Sequence, residues 1–144
     1  MATRPDFRAQ RVLRSNAFRG PSPLTEAELA RDLERLAIYH AGPTYHAPTD
    51  LCVRSPDGRF VAGCEALLDI RNREADIERV CTHSDFRRRG LARSVVVECL
   101  HRLRVMGIER AAITGYGPGA VALYRSLGAA EEMTSYVYSR AQTA

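Results

Sequence analysis

Lysine is absent from this sequence: all 21 basic residues are arginine. A biased composition accounts for that plainly, because the arginines outside one triplet are spread along the chain. They also lack the interleaved aromatic residues on which bases stack. The net charge of +4 and the pI of 9.1 are therefore not read as a nucleic-acid surface. The four cysteines, Cys52, Cys64, Cys81 and Cys99, contain no C-x-x-C pair, so no zinc site and no other metal centre is expected. No stretch approaches the about 18 apolar residues of a membrane span, and no apolar run opens the chain as a signal peptide would. Repeats, low-complexity tracts and linkers are missing as well. These absences describe a cytoplasmic protein with reduced core thiols and no membrane or nucleic-acid partner. With 144 residues, 45% hydrophobic and 26% charged, the chain reads as a single domain, 1–144, able to bury a core.

What is present centres on Arg87-Arg88-Arg89-Gly90-Leu91-Ala92. This Arg-x-x-Gly-x-Ala run lies between a strand-like segment and a long amphipathic helix. A glycine turn that opens a helix presents backbone N–H groups with no intrahelical partner, and the helix dipole adds positive potential at the same point. Three arginines reinforce it. The pattern points to a bound phosphate or pyrophosphate.

Around that turn the elements read in order. Phe7–Phe18 is a helix candidate, and Gly20-Pro21-Ser22-Pro23 breaks it. Thr25-x-x-Glu28 has the form of a capping box before a helix from Glu26 to Tyr39. A loop rich in Pro, Gly and His follows from His40 to Thr49. Leu51–Val53 and Phe60–Leu68 read as strands joined by the Ser55-Pro56-Asp57-Gly58 turn, and Ala75–Thr82 as a third strand after a turn near Asn72. Leu91, Val95, Cys99, Leu103 and Met106 form one helical stripe, closed by Gly107. A short strand, Arg110–Thr114, then makes a strand–helix–strand crossover with the strand before the turn, which requires parallel pairing. Gly115–Gly119 is a loop, Ala120–Leu127 a helix that Gly128 ends, and Thr134–Ser139 a last strand.

This order resembles the GNAT acyltransferase family, whose members transfer acyl groups from acyl-coenzyme A. Two motifs carry the resemblance. Val80 to Ala92 is similar to the family's strand, loop and pyrophosphate turn. Ala120-Val121-Ala122-Leu123-Tyr124-Arg125-Ser126-Leu127-Gly128 is similar to its Ala-x-x-Leu-Tyr-x-x-x-Gly helix. The resemblance covers roughly Phe7 to Arg140. Its first helix and hairpin also resemble the C-terminal halves of tandem members such as mycothiol synthases. It implies an α/β fold in which a mixed, mostly antiparallel central sheet is flanked by helices, with the parallel crossover at the coenzyme A site. Three departures stand out. Gly117 replaces a common Asn, Ala129 replaces a common Phe, and the family's first strand has no counterpart before the first helix. An uncovered sheet edge suits pairing with a second copy of the chain, a homodimer.

The resemblance implies acetyl-coenzyme A as co-substrate and an acetyl transfer, by direct attack in a ternary complex, to the primary amine of a small molecule or peptide. Arg87, Arg88, Arg89, Gly90, Leu91, Ala92 and Arg93 would hold the pyrophosphate, largely through backbone N–H groups. Val80, Cys81 and Thr82 would pair with the pantetheine arm as an added strand. Tyr124 would protonate the leaving thiolate, for which an ordinary phenol of pKa about 10 is suited. Cys81 reads as packing rather than as a nucleophile. For the general base, Glu78 comes first and Asp76 second, two residues apart on one strand and thus expected to share a face with Val80 and Thr82. Glu65 is a third candidate, and a water chain could replace any of them. His83 reads as a surface residue, while His40 and His46 flank an acceptor region expected between the first two helices and the Gly115–Gly119 loop. The alternative to an enzyme is a non-catalytic acyl-coenzyme A sensor or interaction module, which Gly117, Ala129 and the missing strand would suit.

Overall fold

A computed structural model describes residues 6–131 and 133–136. Helix α1, Phe7–Arg19, starts where the Asp6 carboxylate accepts from the Ala9 N–H at 2.9 Å, and the N–H of Gly20 closes it on Asn16. Helix α2, Glu26–His40, opens with the expected capping box. The Thr25 hydroxyl accepts from the Glu28 N–H, and the Glu28 carboxylate accepts from the Thr25 N–H at 2.9 Å. Then come β1 (Tyr45–Arg54), β2 (Phe60–Asp69), β3 (Glu74–Thr82), a short 3-10 turn (Ser84–Phe86), α3 (Leu91–Val105), β4 (Arg110–Ile113) and α4 (Pro118–Ser126).

The sheet order is β1-β2-β3-β4. β1–β2 and β2–β3 are antiparallel, and β3–β4 is parallel through the α3 crossover, as the element order requires. Among the described residues no strand precedes α1, and β1 is an outer strand. The two sheet faces are covered differently. A Cβ on Gly63 would stand 3.6 Å from the Leu13 side chain, so α1 lies over that face. The next residue, Cys64, points the other way and its thiol donates to the Val95 carbonyl of α3 at 3.6 Å. Leu13, Leu29, Val61 and Ile77 fill the core together with Ala62, Cys64, Val96 and Cys99. The chain divides into two compact units, Met1–Thr114 and Gly115–Ala144, and α4 belongs to the second. No helix among the described residues is long and apolar enough to cross a membrane.

Two segments depart from the sequence expectation. β1 begins at Tyr45, inside the segment read as a loop from His40 to Thr49. Its register is irregular between Tyr45 and Asp50, and Pro48 lies in that stretch. An outer strand tolerates a proline because its N–H has no ladder partner to lose. Thr134, Ser135 and Tyr136 are not in a strand, and the remainder of the expected last strand lies outside the described residues.

Leu13 is only 2% exposed and sits against the one glycine of β2. Leu13→Ala is expected to lower the unfolding free energy by about 2–5 kcal/mol, read from urea denaturation.

Candidate active site

β4 pairs with only four residues of β3, Glu74 to Ile77, and ends at Ile113. β3 runs on to Thr82, so beyond Ile77 it has no strand on that side among the described residues. Just past this parting, β3 bulges. Glu78 pairs with Glu65 and Cys81 with Gly63, which sets three residue steps on β3 against two on β2. Arg79 absorbs the extra residue with φ +54.

The bulge overturns one expectation. Strict alternation would place Glu78 with Val80 and Thr82. Cross-strand partners share a face, so Glu78 lies with Glu65, Gly63 and Cys81 on the α1 side, while Thr82 shares the α3 side with its partner Ala62. Glu78 is half-buried. Burial, with the Asp76 carboxylate on the same strand face, holds its carboxyl above the usual range. Asp76 itself is exposed. Cys81 is buried, and burial pushes its thiol up to about 11, which keeps it protonated and poorly nucleophilic at neutral pH.

The loop after β3 leads to the arginine turn. His83 caps the 3-10 turn, its Nδ1 accepting from the Asp85 N–H at 3.3 Å. The Asn16 side chain of α1 accepts from the Ser84 N–H at 2.7 Å and donates to its hydroxyl at 3.2 Å. Arg87 reaches back to donate to the Ala17 carbonyl at 3.2 Å. Arg88 takes φ +62 and Gly90 φ +75, and Gly90 then serves as the α3 N-cap with no side-chain cap. Nothing lies within 4 Å of a Cβ built on Gly90, so the left-handed backbone, rather than crowding by the protein, favours glycine there. Arg87, Arg88, Arg89 and Arg93 are exposed, while Leu91 and Ala92 are half-buried in the first turn of α3. An open backbone turn of uncapped N–H groups, in a segment rich in exposed arginines, fits a pyrophosphate.

Beneath Glu78 lies a buried polar cluster that the sequence did not reveal. Glu65 is 0% exposed. Arg79 pairs with it at 2.7 Å, Arg14 at 3.4 Å, and the Tyr39 hydroxyl donates to it at 3.3 Å. Arg14 also pairs with Asp50 at 3.3 Å, and Asp50 accepts from Gln10 at 3.1 Å and from the Tyr45 hydroxyl at 3.1 Å. Arg79 lies over the Tyr39 ring at 4.3 Å, and burial beside Glu65 pushes the Tyr39 phenol up to about 12. His40 is enclosed between the rings of Phe7 and Tyr45 at 4.4 and 4.0 Å, and burial lowers its pKa. That places His40 inside the protein rather than on an acceptor surface. His46 lies on β1 beside Thr49.

Ligand atoms of His40, Asp50 and Glu65 come within 4.8 Å of one another, a grouping that could hold a metal and that cysteine spacing does not reveal. Arg14 and Arg79 already supply two positive charges against the two carboxylates. One signal was available in the sequence: Gln10 and Arg14 are four residues apart and share a helix face with the buried Leu13.

In the second unit, α4 opens at Gly117 with Pro118 in its first turn, and Tyr124 is a buried residue of this helix. A Cβ on Gly115 would meet the Val121 side chain at 2.8 Å, so the loop before α4 packs closely on it.

A strand edge left open where β4 ends, beside a glycine-opened helix, places free backbone groups next to an anion-binding turn in a mixed α/β fold. The Acetyltransferase (GNAT) family model matches residues 6–129. The chain therefore belongs to the GNAT acetyltransferase family and is an acyl-coenzyme A-dependent N-acyltransferase; acetyl-coenzyme A is the family's co-substrate. Solved structures agree in fold. An acetyltransferase from Trypanosoma brucei is 16% identical with TM-score 0.67, covering 96% of this chain and 95% of that one. Aminoglycoside 6'-N-acetyltransferase from Acinetobacter haemolyticus is 18% identical with TM-score 0.67, covering 99% and 97%. Glucosamine-6-phosphate N-acetyltransferase from Arabidopsis thaliana is 16% identical with TM-score 0.64, covering 95% of each. No curated protein matches the sequence.

Gly90→Val puts a β-branched residue in a left-handed position and a side chain into the cradle. Coenzyme A affinity is expected to fall about tenfold or more, which is about 1.4 kcal/mol, with the far-ultraviolet circular dichroism unchanged. Calorimetric titration checks it.

Proposed function

We propose that the protein transfers an acetyl group from acetyl-coenzyme A directly to a primary amine in a ternary complex. The observation that carries this reading is Glu78, a half-buried carboxyl with raised pKa at the bulge, just past the point where β3 and β4 part. The backbone of Val80, Cys81 and Thr82 continues beyond the parting and offers N–H and C=O groups to the pantetheine arm. The turn from Arg88 to Arg93 holds the pyrophosphate, with Gly90 allowing close approach. Glu78 takes a proton from the ammonium of the acceptor, so that the amine nitrogen can attack the thioester carbonyl carbon. The C–S bond breaks, Tyr124 gives its phenolic proton to the leaving sulfur, and the second proton lost from the nitrogen returns through solvent to the phenolate as the amide forms. Support for Tyr124 comes from its place in the Ala-x-x-Leu-Tyr-x-x-x-Gly motif. The acceptor is a small molecule or a peptide amine.

The sign of the pH dependence follows from the direction of the Glu78 shift. A carboxyl held above its ordinary pKa stays protonated to higher pH and cannot accept a proton there. Turnover should therefore rise with pH through a value above that of a free glutamate. Glu78→Gln should lower kcat by about 100-fold or more and remove this acidic limb. Thiol release from acetyl-coenzyme A across a panel of amines, followed from pH 5 to 9, reads both. Tyr124→Phe should lower kcat with little change in the dissociation constant of coenzyme A. An unchanged rate would leave Tyr124 as packing. Saturable cofactor binding with no acetyl transfer to any amine would favour the sensor reading instead.

A further inference from the structure

Phe86 holds two guanidiniums. Arg59, from the turn between β1 and β2, lies 5.2 Å from the ring centroid, and Arg89 lies 5.0 Å from it. The three residues come from two separate loops. β2 begins at Phe60, and its Ala62 pairs with Thr82, so this hairpin stands at the end of the sheet from which the arginine turn departs. Arg89 immediately precedes Gly90 and has no hydrogen bond or ion pair among the described residues. Arg59 uses its Nε on the Asp57 carboxylate at 2.8 Å, which leaves its two terminal nitrogens without a described partner. Asp57 in turn is held by the Ser55 hydroxyl as well as by Arg59, and these bonds keep its carboxyl below the usual range. The other acid close by, Asp85, is 3.8 Å from His83.

Stacking on an aromatic face fixes guanidiniums that would otherwise sample many rotamers, and it leaves their in-plane N–H donors free for an anion. Coenzyme A carries two phosphate groups of different kinds. One is the pyrophosphate, for which the Gly90 cradle supplies backbone donors. The other is a monoester on the ribose 3′ carbon, attached to the same nucleotide and carrying close to two charges at neutral pH. We infer that Arg59 and Arg89, mounted on Phe86, bind the 3′-phosphate of coenzyme A and make the protein select it over 3′-dephospho-coenzyme A. This rests on the reading that the Gly90 turn holds the pyrophosphate. Arg59 lies outside both family-like motifs, so the selection would be a property of this hairpin.

Calorimetric titration with coenzyme A and with 3′-dephospho-coenzyme A, each at low and moderate salt, tests it. The wild-type protein should bind coenzyme A about tenfold more tightly at low salt, the sum of two exposed ion pairs of modest strength, and the ratio should shrink as salt rises. Arg59→Ala should bring the ratio down to about threefold, and Arg59→Glu lower still, with affinity for the dephospho form unchanged in Arg59→Ala. Equal affinity of the wild type for both ligands would overturn the inference while leaving the pyrophosphate reading intact. So would an Arg59→Ala variant that weakens both ligands alike. Failure of either ligand to bind the wild type would overturn the pyrophosphate reading, and this inference with it.

Discussion

A carboxylate with no exposure to water must find its charge balance inside the protein, and Glu65 is such a group. Its partners come from three other elements: Arg14 from α1, Tyr39 from α2 and Arg79 from β3. Through Arg14 the balance extends to Asp50 on β1. The packing of two helices on this face of the sheet is thus tied to one buried charge. Removing a single member would leave an uncompensated charge behind. The ion pairs add directional contacts to the apolar packing of Leu13 and Leu29.

The same cluster shapes the candidate site. Arg79 can reach Glu65 because the bulge turns its backbone to positive φ, and that bulge also puts Glu78 on the helix-covered face beside the departing β4. Charge balance, strand irregularity and placement of the carboxyl are one arrangement. On the cofactor side, Asn16 and Arg87 fasten the loop before the turn to the end of α1. The helix that answers Glu65 through Arg14 therefore also anchors the loop before the arginine turn, through Asn16 and Ala17 a few residues further on.

Much of this could be read from the chain. The capping box at Thr25, the stripe of α3 and the turn glycines each act locally, so their signals lie within a few residues. The parallel crossover followed from element order. Three things escaped. Pro48 made an outer strand look like a loop. The extra residue at Arg79 broke the alternation on which the facing of Glu78 with Val80 was argued. The buried cluster joins Arg14 to Asp50 and Glu65, 36 and 51 residues further along, and no local pattern marks charged residues that find one another over such separations. The role proposed for Tyr124 rests on the motif alone.

The arginine-only character of the turn has a chemical meaning for an acyl transferase. A lysine ammonium loses its proton readily enough to become a nucleophile, and a ring of lysines around an acyl-coenzyme A site would offer competing acceptors to the bound thioester. A guanidinium stays protonated at any physiological pH and does not attack it. In the proposed function Arg87, Arg88, Arg89 and Arg93 would add positive charge near the bound donor without supplying an amine that could be acylated in place of the substrate. In that function the turn would attract the donor and stay chemically silent toward it.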